Sequence, residues 1–107
     1  MTLLQRLQEE EPGFILDRDI EAFVAKEEGF EPRAVPPAYT GSLDAKLPWE
    51  NIISVDWCVD LCAEEGDRSG ESWLALHRDD NGDDFEGRAK TEAQARRAAA
   101  LKAKKND

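Results

Sequence analysis

Few of the residues that usually carry chemistry occur in this chain. Its 107 residues include two cysteines, one histidine, one tyrosine and one methionine. The cysteines, Cys58 and Cys62, fall in a segment that alternates like a β-strand, where four residues of rise set them ~13 Å apart on one face. A disulfide needs Cα atoms within roughly 7 Å, so the two should not pair. Reduced thiols fit a cytoplasmic setting. No apolar stretch approaches the ~20 residues that cross a bilayer, and the opening Met1-Thr2-Leu3-Leu4-Gln5-Arg6 lacks the long apolar run of a secretion signal.

Catalytic motifs are missing as well. There is no glycine-rich phosphate loop, no serine nucleophile elbow and no Cys-x-x-Cys pair. A zinc site would have to be assembled from His77, the distant Cys58 and Cys62, and carboxylates. As a general base, His77 would need a nucleophile and an orienting acid, and the sequence offers it only an ion pair with Glu86 across a hairpin. The run Asp79-Asp80-Asn81-Gly82-Asp83-Asp84 has the composition of a calcium loop. Counted from Asp79, however, the required Gly at position six and Glu at position twelve are Asp84 and Lys90. The expectation is a binding protein with no catalytic residues, no metal site and no cofactor.

Charge is what the chain has in quantity. Twenty-four acidic side chains face 14 basic ones, a net charge of −10. Residues 1–87 hold 22 acidic and 7 basic side chains, and residues 88–107 hold 2 and 7. An acidic body of this kind repels phosphate backbones and attracts basic surfaces, including the nucleic-acid-binding face of another protein. Hydrophobic residues still make up 40%, with three Trp and four Phe, enough for one core in a single domain spanning residues 1–107.

The periodicities predict an α+β fold in the order α-α-loop-β-β-β-α. Thr2 and Gln5 form a capping box before Leu3, Leu4 and Leu7, a first helix over residues 3–10. Asp17 is read as the cap of a second helix carrying Ile20, Phe23 and Val24 and stopped at Gly29. Pro32, Pro36, Pro37 and Gly41 make residues 31–41 an extended loop, and Ser42 caps one turn over Leu43–Lys46. Ile53, Val55, Trp57, Val59 and Leu61 then alternate with polar residues as a strand with one buried face. Two further strands, Ser72–Asp80 and Asp83–Lys90, flank Asn81-Gly82, the signature of a type I′ turn. That turn sets Leu74 opposite Ala89 and Leu76 opposite Gly87 on an apolar face, with Ala75 opposite Arg88 and His77 opposite Glu86 on a mixed one. Thr91 and Gln94 cap a last, alanine-rich helix to about Lys104, with Ala95, Ala98 and Leu101 facing the sheet, and residues 105–107 fraying. The economical architecture is a three-stranded antiparallel sheet with helices packed on it. Trp57 is assigned to the core, Trp49 and Trp73 to an interface.

Two stretches resemble known families. Gly87 to Ala99 is similar to the carboxyl-terminal part of double-stranded RNA-binding domains, three strands followed by an Ala-rich helix, although Glu92 and Gln94 stand where those domains place basic residues. Pro36-Pro37-Ala38-Tyr39-Thr40-Gly41-Ser42-Leu43-Asp44-Ala45 resembles the signature of the phage ABA sandwich domain family, small phage and prophage proteins of unknown function. The pattern Leu3-Leu4-Gln5-Arg6-Leu7, Glu11-Pro12-Gly13 and Leu16-Asp17-Arg18-Asp19-Ile20 resembles that family's amino-terminal part. This second resemblance implies an α/β/α sandwich and a phage origin, and it brings no catalytic residues with it; together with the reduced thiols, that gives an expected place in the cytoplasm of a bacterial host cell. In physical terms the signature is a structural element: Pro36-Pro37 stiffens the approach, Tyr39 packs while its hydroxyl finds a partner, and Leu43 anchors the turn.

The functional expectation is a non-catalytic accessory protein that binds a host or phage protein, one that itself handles nucleic acid. Glu64, Glu65, Asp67, Asp79, Asp80, Asp83 and Asp84 would stand in for phosphates, with Trp49 and Trp73 as anchors. The alternatives are a nucleic-acid-binding module using the last helix and a small metal-dependent enzyme or regulator.

Overall fold

The computed structural model describes residues 2–59 and 71–105. The order is α1 (Leu3–Glu9), α2 (Phe14–Glu28), β1 (Ile52–Val59), β2 (Glu71–Arg78), β3 (Asp84–Ala89) and α3 (Glu92–Lys105). The three strands form one antiparallel meander in the order β1-β2-β3. The α+β class and the sequence of elements are those the periodicities predict.

The capping box of α1 forms in full, and that of α3 forms its Thr91 side-chain half. Thr2 Oγ1 accepts from Gln5 N at 3.1 Å while Gln5 Oε1 accepts from Thr2 N at 2.9 Å. Thr91 Oγ1 accepts from Gln94 N at 3.2 Å and opens α3. Gly29 closes α2 at φ 81°, a left-handed conformation that costs glycine nothing, with its N–H on Ala25 O at 2.8 Å. The start of α2 differs from expectation. Helix begins at Phe14, behind Gly13, and Asp17 lies inside the first turn. Its carboxylate turns to a tertiary task, accepting from Thr40 N at 2.8 Å and Thr40 Oγ1 at 2.7 Å.

Helix α3 is the middle layer. Its Ala98, Ala100 and Leu101 join Leu7 of α1, Leu16, Ile20 and Val24 of α2, and Tyr39 and Leu47 of the long connection in one core. On another side Ala95 and Ala99 pack on Ala75 and Ala89 of the sheet, with Ile52, Val55 and Trp73 at the edges. Small residues let the backbones close up. A Cβ built on Gly87 would collide with Ala99 N, Ala95 O and, at 2.8 Å, Ala99 Cα, so β3 can pass under α3 only with glycine there.

This close approach selects the buried side of the sheet and corrects the hairpin. Paired residues sum to 162 rather than 163: Trp73 faces Ala89, Leu74 faces Arg88, Ala75 faces Gly87, Leu76 faces Glu86 and His77 faces Phe85. The turn holds one more residue than the type I′ loop. Asp79 N donates to Asp83 O at 2.9 Å, Gly82 N donates to Asp79 O at 3.1 Å, and Gly82 alone in the turn has a positive φ, 87°. Asp79 Oδ1 accepts from both Asn81 N and Asp83 N at 2.9 Å and stabilises the longer turn. Ala75 and His77 therefore lie on the core side, and Leu74 and Leu76 on the other side, where they are half-buried among Ser54, Asp56, Glu86 and Arg88.

Two aromatic assignments change with it. His77 is buried, 1% exposed, and does not form a surface pair with Glu86. Trp57 is 50% exposed rather than core, because α3 lies over β2 and β3 and only brushes β1. It meets Trp73 edge-on, with centroids 5.1 Å apart. Pairing between β1 and β2 slips between Ile52 and Ser54, and this irregularity leaves Ile53 exposed while Ile52 packs inward.

Candidate functional site

Residues 36–50, which contain the Pro36-Pro37 approach, Tyr39 and the Ser42 turn, are held by buried polar side chains from two helices. From α2, Asp17 binds Thr40 as described, and one turn later Glu21 accepts from Tyr39 Oη at 2.7 Å and from Arg33 Nε at 2.7 Å. Arg33 N and Nη2 add bonds to the same carboxylate at 2.9 and 3.1 Å. The Arg33 guanidinium, above all, holds the Glu21 carboxyl at about 2, against the opposing effect of burial. Tyr39 is pushed up, by burial first and by its hydrogen bond to the Glu21 carboxylate second.

From α3, Arg97 reaches the same segment. Its Nη1 donates to Glu50 Oε2 at 2.7 Å, and Nη2 donates to Ser42 O at 2.6 Å and Leu43 O at 3.1 Å. The side chains of Arg97 and Glu50 are 0% and 1% exposed. Burial pushes the Glu50 carboxyl up, against the Arg97 charge, which pulls it down. Among the described residues, Arg97 Nε finds no hydrogen-bond partner. Trp49 completes the attachment, its indole Nε1 donating to Ala100 O at 2.7 Å and its ring set against Phe23 at 6.0 Å. The Pro36–Ala45 stretch is thus a structural element, with the Tyr39 hydroxyl partnered as its residue type suggests.

None of Asp17, Glu21, Glu50 or Arg97 was singled out as a site residue from the sequence. A signal existed. Asp17 and Glu21 sit four apart within the stripe of Leu16, Ile20 and Val24, and Arg97 sits between Gln94 and Leu101 on the alanine face; charges on an apolar helical stripe imply buried partners.

The acidic residues read as an interaction surface divide into three groups. Glu64, Glu65 and Asp67 lie outside the described residues. Asp79 and Asp84 do structural work at the hairpin end: Asp79 closes the turn, and Asp84 pairs with Arg78 Nε at 2.8 Å and Nη2 at 3.3 Å. Asp80 and Asp83 are exposed at the tip. Trp73 is half-buried beside Pro12, Leu43 and Thr91 in a shallow groove. It lies far along β2 from the hairpin tip, whereas Trp49 lies near it.

Trp49, Asn51, His77, Asp79 and Asp80 line a cleft of about 450 Å³ with the last turn of α3. Asn51 N donates to His77 Nδ1 at 3.0 Å, which leaves the imidazole proton on Nε2. Burial pushes the His77 pKa down, and the charges of Asp79 and Asp80 pull the other way. Across the cleft, Lys104 Nζ lies over the Trp49 ring, 5.2 Å from its centroid. Among the described residues, no group of three His, Cys, Asp or Glu side chains is placed to hold a metal ion, and no helix is long and apolar enough to cross a membrane.

No protein-family model matches the chain, and neither a curated protein nor a solved structure does.

Proposed function

We propose that the protein is a non-catalytic phage or prophage accessory protein that binds a host or phage protein through its acidic surface. Its role in this reading is counter-defence in the cytoplasm of a bacterial host cell: exposed carboxylates mimic nucleic-acid phosphates and inhibit a nucleic-acid-binding partner by occupying its basic groove.

One observation supports this most. Arg6, Arg18, Arg33, Arg78, Arg96 and Arg97 all lie in ion pairs with the protein's own carboxylates. Asp56, Asp80, Asp83 and Glu86, by contrast, are exposed. Internal pairing takes up these six arginines, leaves only the exposed Arg88 among the described arginines outside an ion pair, and turns the surplus of negative charge to water.

The same observation weighs against nucleic-acid binding by the last helix. Arg97 is sealed beneath the 36–50 segment, and Arg96 Nη2 is held by Glu92 at 2.6 Å, where a phosphate would have to displace it. Phosphate contacts dominate nucleic-acid affinity, and neither arginine of this helix is free to make them.

Competition tests the mimicry directly. Protein captured from host lysate on the immobilised chain should be released by an excess of duplex DNA, because both ligands would occupy one groove. Capture that duplex DNA leaves intact would overturn the phosphate-mimic reading.

A further inference from the structure

We infer that the cleft between Trp49, the β2–β3 hairpin tip and the last turn of α3 is a receptor for an arginine side chain of the partner. The inference rests on the reading of the partner as a basic protein and names where one of its side chains seats.

Three features of the cleft favour a guanidinium. The first is a fixed aromatic wall. Trp49 is locked by its indole bond to Ala100 O and by Phe23, so its ring face is positioned before any ligand arrives. That face already accepts a cation, since Lys104 Nζ lies over it at 5.2 Å. The second is charge at the rim. Asp79 and Asp80 stand on the lining, and the final turn of α3 adds the negative end of its dipole. Two cations also lie there, Arg78 and Lys104, but Asp84 holds Arg78 in a two-pronged pair. The third is the floor. His77 is 99% buried and neutral at Nδ1, so it adds no positive charge to repel the ligand.

Lys104 then acts as a resident stand-in. Arginine displaces it because a planar guanidinium both stacks on indole and reaches a carboxylate with paired N–H groups, whereas an ammonium offers a point charge. Lys104 is half-buried on a terminal helical turn and is free to swing into solvent.

The test is a titration of the full chain with a short neutral peptide carrying one arginine, followed through the Trp49 indole N–H resonance. The same peptide with citrulline, which keeps the shape and removes the charge, is the reference. A saturable shift is expected, weaker by about tenfold with citrulline. Asp80→Asn should weaken arginine binding about threefold or more. Lys104→Ala should strengthen it, and Lys102→Ala, the same charge change two residues away, should not. The proposal is overturned by the absence of a saturable shift, by equal response to citrulline, or by equal gain from both lysine variants. Failure here with DNA-displaceable capture intact removes the cleft and keeps the acidic surface. A saturable arginine shift without such capture does the reverse.

Discussion

Arg97 is the residue on which most of the long connection depends. It enters α3 among alanines, carries its charge into the core, and satisfies two carbonyls and one carboxylate that have no water to turn to. Removing it alone leaves Glu50 buried and unpaired. Arg97→Met should therefore cost about 3–5 kcal/mol in chemical denaturation, and adding Glu50→Leu should recover most of that loss. Failure of the second change to rescue the first would mean that the carbonyl contacts to Ser42 and Leu43, and not the ion pair, dominate.

Glu21 makes the corresponding attachment from α2, and its low pKa has a definite pH signature. The group titrates at about 2 in the folded protein against an ordinary value of 4.5. A depressed carboxyl contributes stability that is present above 4.5 and is lost as pH falls toward 2. Denaturation midpoints measured across that window should decline in the native sequence and decline less in Glu21→Gln, which starts lower at neutral pH. His77 adds a smaller effect of the same sign near neutrality. Its folded pKa lies below the ordinary 6.5, so stability is lost as pH falls below 6.5.

At the scale of elements, the contact between α3 and β3 decides how the sheet is presented. Gly87 passes against Ala95 and Ala99 with no room for a side chain, and the three nearest obstructing atoms are all backbone, which cannot rotate away. Gly87→Ala should destabilise by about 3 kcal/mol, whereas Gly41→Ala, with open space around it, should change stability by less than about 1 kcal/mol. Equal effects would mean that the helix does not approach the sheet so closely.

That contact also explains which parts of the fold could be read in advance. Helix ends marked by local chemistry, Thr2 with Gln5, Thr91 with Gln94, and Gly29, were legible because the bonds they make are within four residues. The alternation that marks β1 was legible too. The buried side of β2 was not, because leucines outweigh Ala75 and His77 on any hydrophobicity count; the deciding factor is the small-residue surface that Gly87 and Ala89 offer to a distant helix. One extra residue in the Asp79–Asp83 turn, stabilised by the Asp79 carboxylate, moved every cross-strand partner in the hairpin. The cleft was illegible for a similar reason. Trp49, His77 and Lys104 are separated in sequence and meet only because α3 returns across the sheet.

For the whole molecule, the distribution of charge is the feature that fold and sequence share. The fold assigns all the described arginines but Arg88 to internal ion pairs and leaves carboxylates such as Asp56, Asp80, Asp83 and Glu86 at the surface, so the net charge of −10 is expressed toward whatever the protein meets. Association with a basic groove would be fast and strongly screened, since attraction between exposed charges fades beyond a Debye length of about 8 Å at physiological salt. The most direct measurement is the affinity for the captured partner over a salt series, with the native sequence beside a variant carrying Asp80→Asn, Asp83→Asn and Glu86→Gln. The account predicts binding that weakens steeply as salt rises, and a variant with lower affinity at low salt and a shallower dependence. Binding that is indifferent to salt, or unchanged in the variant, would contradict it.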